Sequence, residues 1–203
     1  MMLSQVYTGL VAVWAASEIW LALRRRSSDR TRQRDGGTLR LLMVTIYLCI
    51  GLGVWLSRLQ PSPIPEPPRQ ALFLIGMAMM IVGMLFRWWS IRVLAEYFTV
   101  DVSIRPDHRI VRDGPYCVLR HPSYTGALAT FYGFALSLGD IAAVLVVIVP
   151  VTLVFLWRIR VEEGVLAQAF PDDYPATHAK PSVCYPASGE LLQPMRRSGR
   201  LPR

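Results

Sequence analysis

The run IAAVLVVIVPVTLVFLW, from Ile141 to Trp157, holds seventeen residues and no formal charge. Wound as a helix at 1.5 Å per residue it covers about 25 Å, close to the roughly 30 Å of a bilayer's hydrocarbon core. A soluble helix of this length keeps one face polar for water, and this run has no such face. It therefore reads as a membrane span, and the rest of the chain is read outward from it. Immediately before it, Gly139-Asp140 makes a tight turn back to an apolar segment from Ser123 to Leu138. The two segments are expected to form a helical hairpin, with Pro150 kinking the second arm where neighbouring helices can satisfy the freed carbonyl.

Three further apolar stretches come first in the chain: Val6 to Leu23, Leu39 to Leu59, and a run from Gln70 that ends in Arg87, Trp88 and Trp89. The expected fold is an all-α integral membrane protein of five transmembrane helices. Composition agrees, since 53% of the 203 residues are hydrophobic and 18% charged, in a length suited to one bundle. The N-terminal run lacks a basic leader and a small-residue cleavage site, so it is read as a retained helix. Between the second and third spans, PSPIPEPP is too rich in proline to be helical and is expected to be a short extended connector. Gly76 and Gly83 lie two helical turns apart on one face, which would let the third helix approach a neighbour closely.

Charge sets the orientation. Of 22 basic residues only Lys180 is a lysine, and seven arginines fall between Leu23 and Leu41. Arg58 and Arg69 alone lie in the segments that alternate onto the opposite face. By the positive-inside rule the N-terminus is outside and the C-terminus cytoplasmic. The net charge of +8 collects at the ends of apolar segments, where it meets anionic headgroups of membrane lipids rather than nucleic acid. Cys49, Cys117 and Cys184 have no disulfide or zinc spacing. Met77, Met79, Met80 and Met84 are read as packing or lipid-facing residues. Glu18 lies five residues from Leu23, about 8 Å along a helix, and is expected to snorkel to the cytoplasmic interface. In outline, residues 1–93 form three helices with a basic loop, 94–185 a region of polar loop, helical hairpin and Glu162-Glu163 helix end, and 186–203 a basic tail expected to be disordered.

The polar chemistry falls in two places. The first is DGPYCVLRHPSYTG, Asp113 to Gly126, where turns at Arg105-Pro106-Asp107 and Asp113-Gly114-Pro115 flank a short extended run. Tyr116, His121 and Tyr124 offer flat polar surfaces there, and Ser123 could cap the helix that follows. The second is RIRVEEGVL at the end of the last span. Arg158, Glu162 and Leu166 share a helical face there, with Glu163 roughly 100° round. Two carboxylates beside a basic, aromatic loop suit a cationic ligand. The residues alone leave other readings open: a loop gripping lipid phosphates, an ordinary Arg158–Glu162 surface pair, or a non-catalytic membrane protein that binds anionic lipid or a partner.

HRIVRDGPYCVLRHPSYTG, followed one hairpin later by RIRVEEGVLAQAF and preceded by YFTVDV, resembles the isoprenylcysteine carboxyl methyltransferase family in its bacterial form. The resemblance covers about Leu94 to Tyr174. It implies an S-adenosylmethionine-dependent methyltransferase with a helical cofactor pocket and no Rossmann fold. The implied reaction methylates the carboxylate of an isoprenylcysteine-like, lipid-linked acceptor entering from the bilayer, at the cytoplasmic face of a bacterial inner membrane. By position, His108, Gly114, Tyr116, His121, Pro122, Tyr124, Glu162 and Glu163 resemble the family's cofactor-binding residues. Arg120 and Arg158 resemble basic residues near the acceptor and, with Glu162, are the expected catalytic set. An ionised carboxylate is already a nucleophile, so neither a general base nor a metal is expected. The chain departs from the family's usual pattern where Phe170 meets Pro171 and where His178 stands for a second tyrosine, while Tyr174 fits. A related alternative is a phospholipid amine N-methyltransferase.

Overall fold

The computed structural model describes residues 2–24, 37–95 and 113–169. Five helices carry the fold: α1 (Met2–Arg24), α2 (Thr38–Leu59), α3 (Pro68–Leu94), α4 (Pro122–Ser137) and α5 (Ile141–Ala169), with a 3₁₀ turn at Gly114–Cys117 ahead of α4. Four of them, α1, α2, α3 and α5, are long and apolar enough to cross a membrane. α4 forms where the fourth span was expected, at Ser123 to Leu138, but it is not among the helices long and apolar enough to cross. Its 16 residues reach about 24 Å, and it is the most enclosed helix, with Gly126, Ala127, Thr130, Phe131, Gly133, Phe134 and Ala135 all buried. Large apolar side chains such as Val13, Leu48, Leu85 and Leu153 face outward instead, the arrangement a lipid solvent favours.

The helices alternate in direction. At one end the α2–α3 connector meets the α4–α5 turn: Pro63 and Asp140 form an isolated antiparallel bridge, Ile64 N–H donates to Gly139 O at 3.1 Å, and Ile141 N–H donates to Ser62 O at 3.0 Å. Asp140 is fully buried and fastens the corner. Its Oδ1 accepts from Ala143 N–H at 3.0 Å, capping α5, and its Oδ2 accepts from Ser62 N–H at 2.8 Å. The connector is non-helical up to Pro67, and α3 starts at Pro68, two residues earlier than the sequence suggests, because proline at a helix's first position forfeits no backbone bond. α5 runs on through Pro150 as a single helix.

α3 and α4 pack most closely, and glycine makes this possible. A Cβ at Gly83 would lie 2.7 Å from Gly126 O, and one at Gly126 would lie 2.6 Å from Arg87 N. Gly76 faces Gly133 in the same way two turns on. The expected close approach at Gly76 and Gly83 is thus met by a second glycine pair on α4. Met77 and Met80 are buried in this contact region. α2 lies against α5, with Gly53 beside Val147. α1 is joined mainly by side chains: Trp14 sits edge-on to Phe131 at 5.0 Å and tilted against Phe134 at 5.5 Å, and the Tyr7 hydroxyl bonds to that of Ser137. Near the other end of the bundle Trp20 stacks on Trp88.

Candidate active site

The end of the bundle opposite Asp140 gathers the polar side chains. Gly114 opens the 3₁₀ turn with φ +53, a left-handed conformation that a side chain would strain, and a Cβ there would press on Val93 of α3 at 3.2 Å. The turn seats buried Pro115 and brings Tyr116 to the start of α4. The Tyr116 hydroxyl bonds the Ser123 side chain, and burial, reinforced by the negative charge of Glu162, pushes its pKa up to about 12. Tyr116 is therefore a neutral hydrogen-bonding group across the physiological range. α4 begins at Pro122 with His121 at the cap position and no side-chain cap bond. Ser123, read from sequence as the cap, instead lies inside the first turn, because Pro122 with its fixed φ takes the first helical position. Its hydroxyl serves Tyr116, and its carbonyl accepts from Arg87 Nη1 at 3.1 Å.

α5 delivers the carboxylates to the same place. Glu163 Oε1 lies 3.3 Å from His121 Nε2 and 3.5 Å from Arg120 Nη1. Glu162 Oε2 lies 3.9 Å from His121 Nδ1. The His121 ring stacks on Tyr124 with centroids 5.6 Å apart and planes 10° from parallel, and Phe155 meets Tyr124 edge-on. One helical turn before Glu162, Arg158 is almost wholly buried: its Nε donates to Tyr124 Oη at 3.1 Å and its Nη1 to Thr38 Oγ1 at 2.8 Å. Since Arg158 donates to the Tyr124 oxygen, the Tyr124 proton is directed at the Glu162 carboxylate beside it. Thr38, Arg158, Tyr124 and Glu162 thus form a continuous chain across three helices. The other Glu162 oxygen, Oε2, is buried and has no hydrogen-bond donor among the described residues. Such an oxygen destabilises the fold unless a donor or a cation reaches it.

Of the residues selected from sequence, Gly114, Tyr116, Arg120, His121, Pro122, Tyr124, Arg158, Glu162 and Glu163 all lie in this one cluster. Pro122 is there as the first residue of α4, shaping the backbone. His108 lies outside the described residues, as do Tyr174, His178 and the tail.

Beside the cluster is a cavity of about 210 Å³. Its walls are apolar, with Trp14 of α1, Leu42 and Ile46 of α2, and Phe131 and Phe134 of α4. Ile19 and Tyr47 also line it and are 55% and 66% exposed, which puts its rim at the lipid-facing surface between α1 and α2. Tyr124 and Arg158, which belong to the cluster, line it too, as do Glu18 and Arg87. Glu18 does not snorkel as the sequence suggested. It grips Arg87 with two bonds, Nε to Oε1 at 2.7 Å and Nη2 to Oε2 at 2.9 Å. A paired guanidinium at matching depth on α3 holds the carboxylate more strongly than the interface would. Thr38 and the Glu18–Arg87 pair were not identified from sequence. The available signal was the depth match, since Glu18 precedes the end of α1 by about as many residues as Arg87 precedes the end of α3.

Comparison with known proteins follows the same region. Residues 71–173 match the family described as phospholipid methyltransferase. Protein-S-isoprenylcysteine O-methyltransferase B of Arabidopsis thaliana is 34% identical over 101 residues, 49% of this chain and 51% of that protein. The A form from the same plant is 33% identical over 101 residues, again 49% of this chain and 51% of its own. The Schizosaccharomyces pombe protein-S-isoprenylcysteine O-methyltransferase is 37% identical over 68 residues, 34% of this chain and 29% of its own. The chain spans about half the length, or less, of these relatives. They bear out the resemblance to isoprenylcysteine carboxyl methyltransferases read from the motifs.

Proposed function

Starting from a chain that belongs to the phospholipid methyltransferase family, we propose that it is an S-adenosylmethionine-dependent enzyme that methylates the carboxylate of a lipid-linked, isoprenylcysteine-like acceptor. The observation that carries this reading is the shared wall. Tyr124 and Arg158 belong both to the carboxylate-rich cluster and to the apolar cavity, so a water-borne cation and an oily anion would be brought to adjacent places.

The residues fit the cofactor. The buried Glu162 Oε2 without a donor, the Glu163 carboxylate and the stacked His121–Tyr124 pair suit a ligand that carries an amine and a sulfonium. When bound, S-adenosylmethionine supplies a methyl group on a positively charged sulfur, which a carboxylate oxygen can accept by in-line displacement. The chain's own contribution is placement. Glu162 and Glu163 would hold the donor's positive groups, Tyr116 would offer a neutral hydroxyl, and Gly114 would let the backbone come close. Arg158, held by Thr38 and Tyr124, presents a fixed positive charge to the cavity and would orient the acceptor's carboxylate. Arg120 lies outside the cavity wall and pairs with Glu163, so its role would be to keep that carboxylate in place. The apolar walls exclude water from an ionised acceptor that needs no proton removed. Methylation discharges the acceptor, which weakens its attraction to Arg158 and favours release into lipid.

The proposed topology follows the helix directions and the arginine distribution. All five helices cross or enter the bilayer, with the N-terminus and the Asp140 corner outside and the cluster at the cytoplasmic interface. Titration calorimetry of the detergent-purified protein with S-adenosylhomocysteine tests the donor site, with micromolar binding expected. A folded protein that shows no heat of binding would end the proposal.

A second reading is favoured by the family description itself: methylation of a phospholipid amine. Its acceptor nitrogen carries a proton at neutral pH, and His121 or Glu162 would have to accept it. Mass spectrometry of the methylated lipid separates an ester from an N-methyl product.

A further inference from the structure

The Glu18–Arg87 pair ties α1 to α3, lines the cavity and stands apart from the Glu162–Glu163 carboxylates. Arg87 stands at the junction of the two halves of the site. Its Nη1 donates to the carbonyl of Ser123, the residue whose hydroxyl holds Tyr116, and its charge acts on Tyr116 directly. On the other side it faces the cavity together with Arg158. The cavity walls therefore carry two guanidinium groups and one carboxylate. The rest of the lining is largely apolar, so an anionic acceptor that enters meets its complementary charge at these arginines.

We propose that Arg87 is a second acceptor-binding residue, and that Glu18 is its resident placeholder, a carboxylate that the acceptor's carboxylate displaces on entry. This rests on the methyltransferase reading above. The geometry supports an exchange of like for like. Glu18 uses both oxygens on the Nε and Nη2 edge of Arg87, the side-on fork that any carboxylate takes on arginine. Arg87 is 12% exposed and anchored through Nη1 to α4, whereas Glu18 is 33% exposed. The anchored member is the cation, and the member with room to leave is the anion. Glu18 is also five residues from Leu23 on α1, the helix with the least backbone packing against the others, so once displaced it can extend to the cytoplasmic interface and be hydrated there. Until an acceptor arrives, the pair keeps a bare guanidinium from facing lipid and closes the polar junction beneath Tyr116.

The test uses the full-length protein in detergent, with S-adenosylmethionine as donor, N-acetyl-S-farnesylcysteine as acceptor probe and its carboxamide as competitive inhibitor. Glu18→Gln keeps the shape but competes weakly for arginine, so the acceptor KM is expected to fall about threefold; Arg87→Gln is expected to raise it about tenfold and to erase the preference for carboxylate over carboxamide. Arg87→Lys, which keeps the charge but loses the fork, should fall between. Donor affinity, read by calorimetry, should hold in Glu18→Gln and change less than the acceptor KM in the two Arg87 variants, whose bond to Ser123 O supports Tyr116. The opposite signs are decisive, because a merely structural clasp would weaken the protein in the same sense whichever partner was removed. If Glu18→Gln and Arg87→Gln both raise the acceptor KM, or if neither moves it while the wild type methylates the probe, the placeholder idea is wrong and the pair is a structural tie. Failure of the wild type itself to bind donor or esterify the probe would count against the methyltransferase reading instead.

Discussion

The α3–α4 contact offers a prediction whose size can be worked from atoms. In Gly126→Ala the new Cβ would lie 2.6 Å from Arg87 N, 2.7 Å from Gly83 O and 2.9 Å from Arg87 Cα, where ordinary contact begins at 3.4 Å. Every obstructing atom is backbone, so no side chain can rotate away. The two helices must separate by about 0.5–0.8 Å at this level, a displacement that overpacked cores resist at about 1–3 kcal/mol. The shift falls on Arg87, whose bond to Ser123 O is already 3.1 Å, so the junction beside Tyr116 should loosen as well. Gly51→Ala is the matched control, since a Cβ at Gly51, on α2, meets nothing within 4 Å. Removing a glycine from an open helix position should stabilise by up to about 1 kcal/mol. Thermal unfolding of both variants in one detergent reads the difference: Tm falls for Gly126→Ala and holds or rises for Gly51→Ala. Equal shifts would refute the claim that glycine contact sets the α3–α4 spacing.

Other outcomes follow from particular contacts. Glu162→Gln should lower donor affinity at least about tenfold by calorimetry, because a charge-assisted contact is lost, while Tm holds or rises because the buried Oε2 has no donor to lose among the described residues. Asp140→Ala removes a helix cap and leaves the Ser62 N–H without its acceptor, an expected loss of about 2–4 kcal/mol in unfolding free energy. Methyl transfer per folded molecule should be little affected, since Asp140 is at the far end of the bundle. Tyr116 binds its proton more tightly folded than unfolded, so its contribution to stability is complete below pH 10 and is lost as pH rises towards about 12; Tyr116→Phe should flatten that alkaline slope in pH-dependent unfolding. With the three native cysteines replaced, a membrane-impermeant thiol reagent should label Ser4→Cys in intact cells and Gln168→Cys only after lysis.

The sequence carried the fold wherever lipid imposes a local rule. Uncharged runs of spanning length, arginines at their ends and the proline connector each report their surroundings without reference to the rest of the chain. Within the polar cluster, RHPSY and RIRVEE each order their own side chains through short-range turns and helical spacing, and it was the resemblance to a family carrying both motifs that paired the two. Where two distant segments meet outside those motifs, the chain gave no such notice. Gly126 and Gly133 complete the contact begun by Gly83 and Gly76, but their partnership depends on the relative height of α3 and α4. Thr38 reaches Arg158 across 120 residues, and Glu18 reaches Arg87 across 69. Read alone, a glutamate near the end of a span looks able to snorkel. Only a neighbour at equal depth makes it a salt bridge. Ser123 is a local miss of another kind, since proline at the first helical position moved the cap back to His121.

The most direct test is the product. The purified protein is incubated with S-adenosylmethionine labelled in its methyl group and N-acetyl-S-farnesylcysteine, and the extracted lipid is treated with mild base. An ester at the acceptor carboxylate gives label in the lipid phase that base releases as methanol, with Arg158→Gln and Glu162→Gln largely inactive. Label that stays on the lipid after base, or that appears only when a phospholipid amine is supplied, would contradict carboxylate methylation.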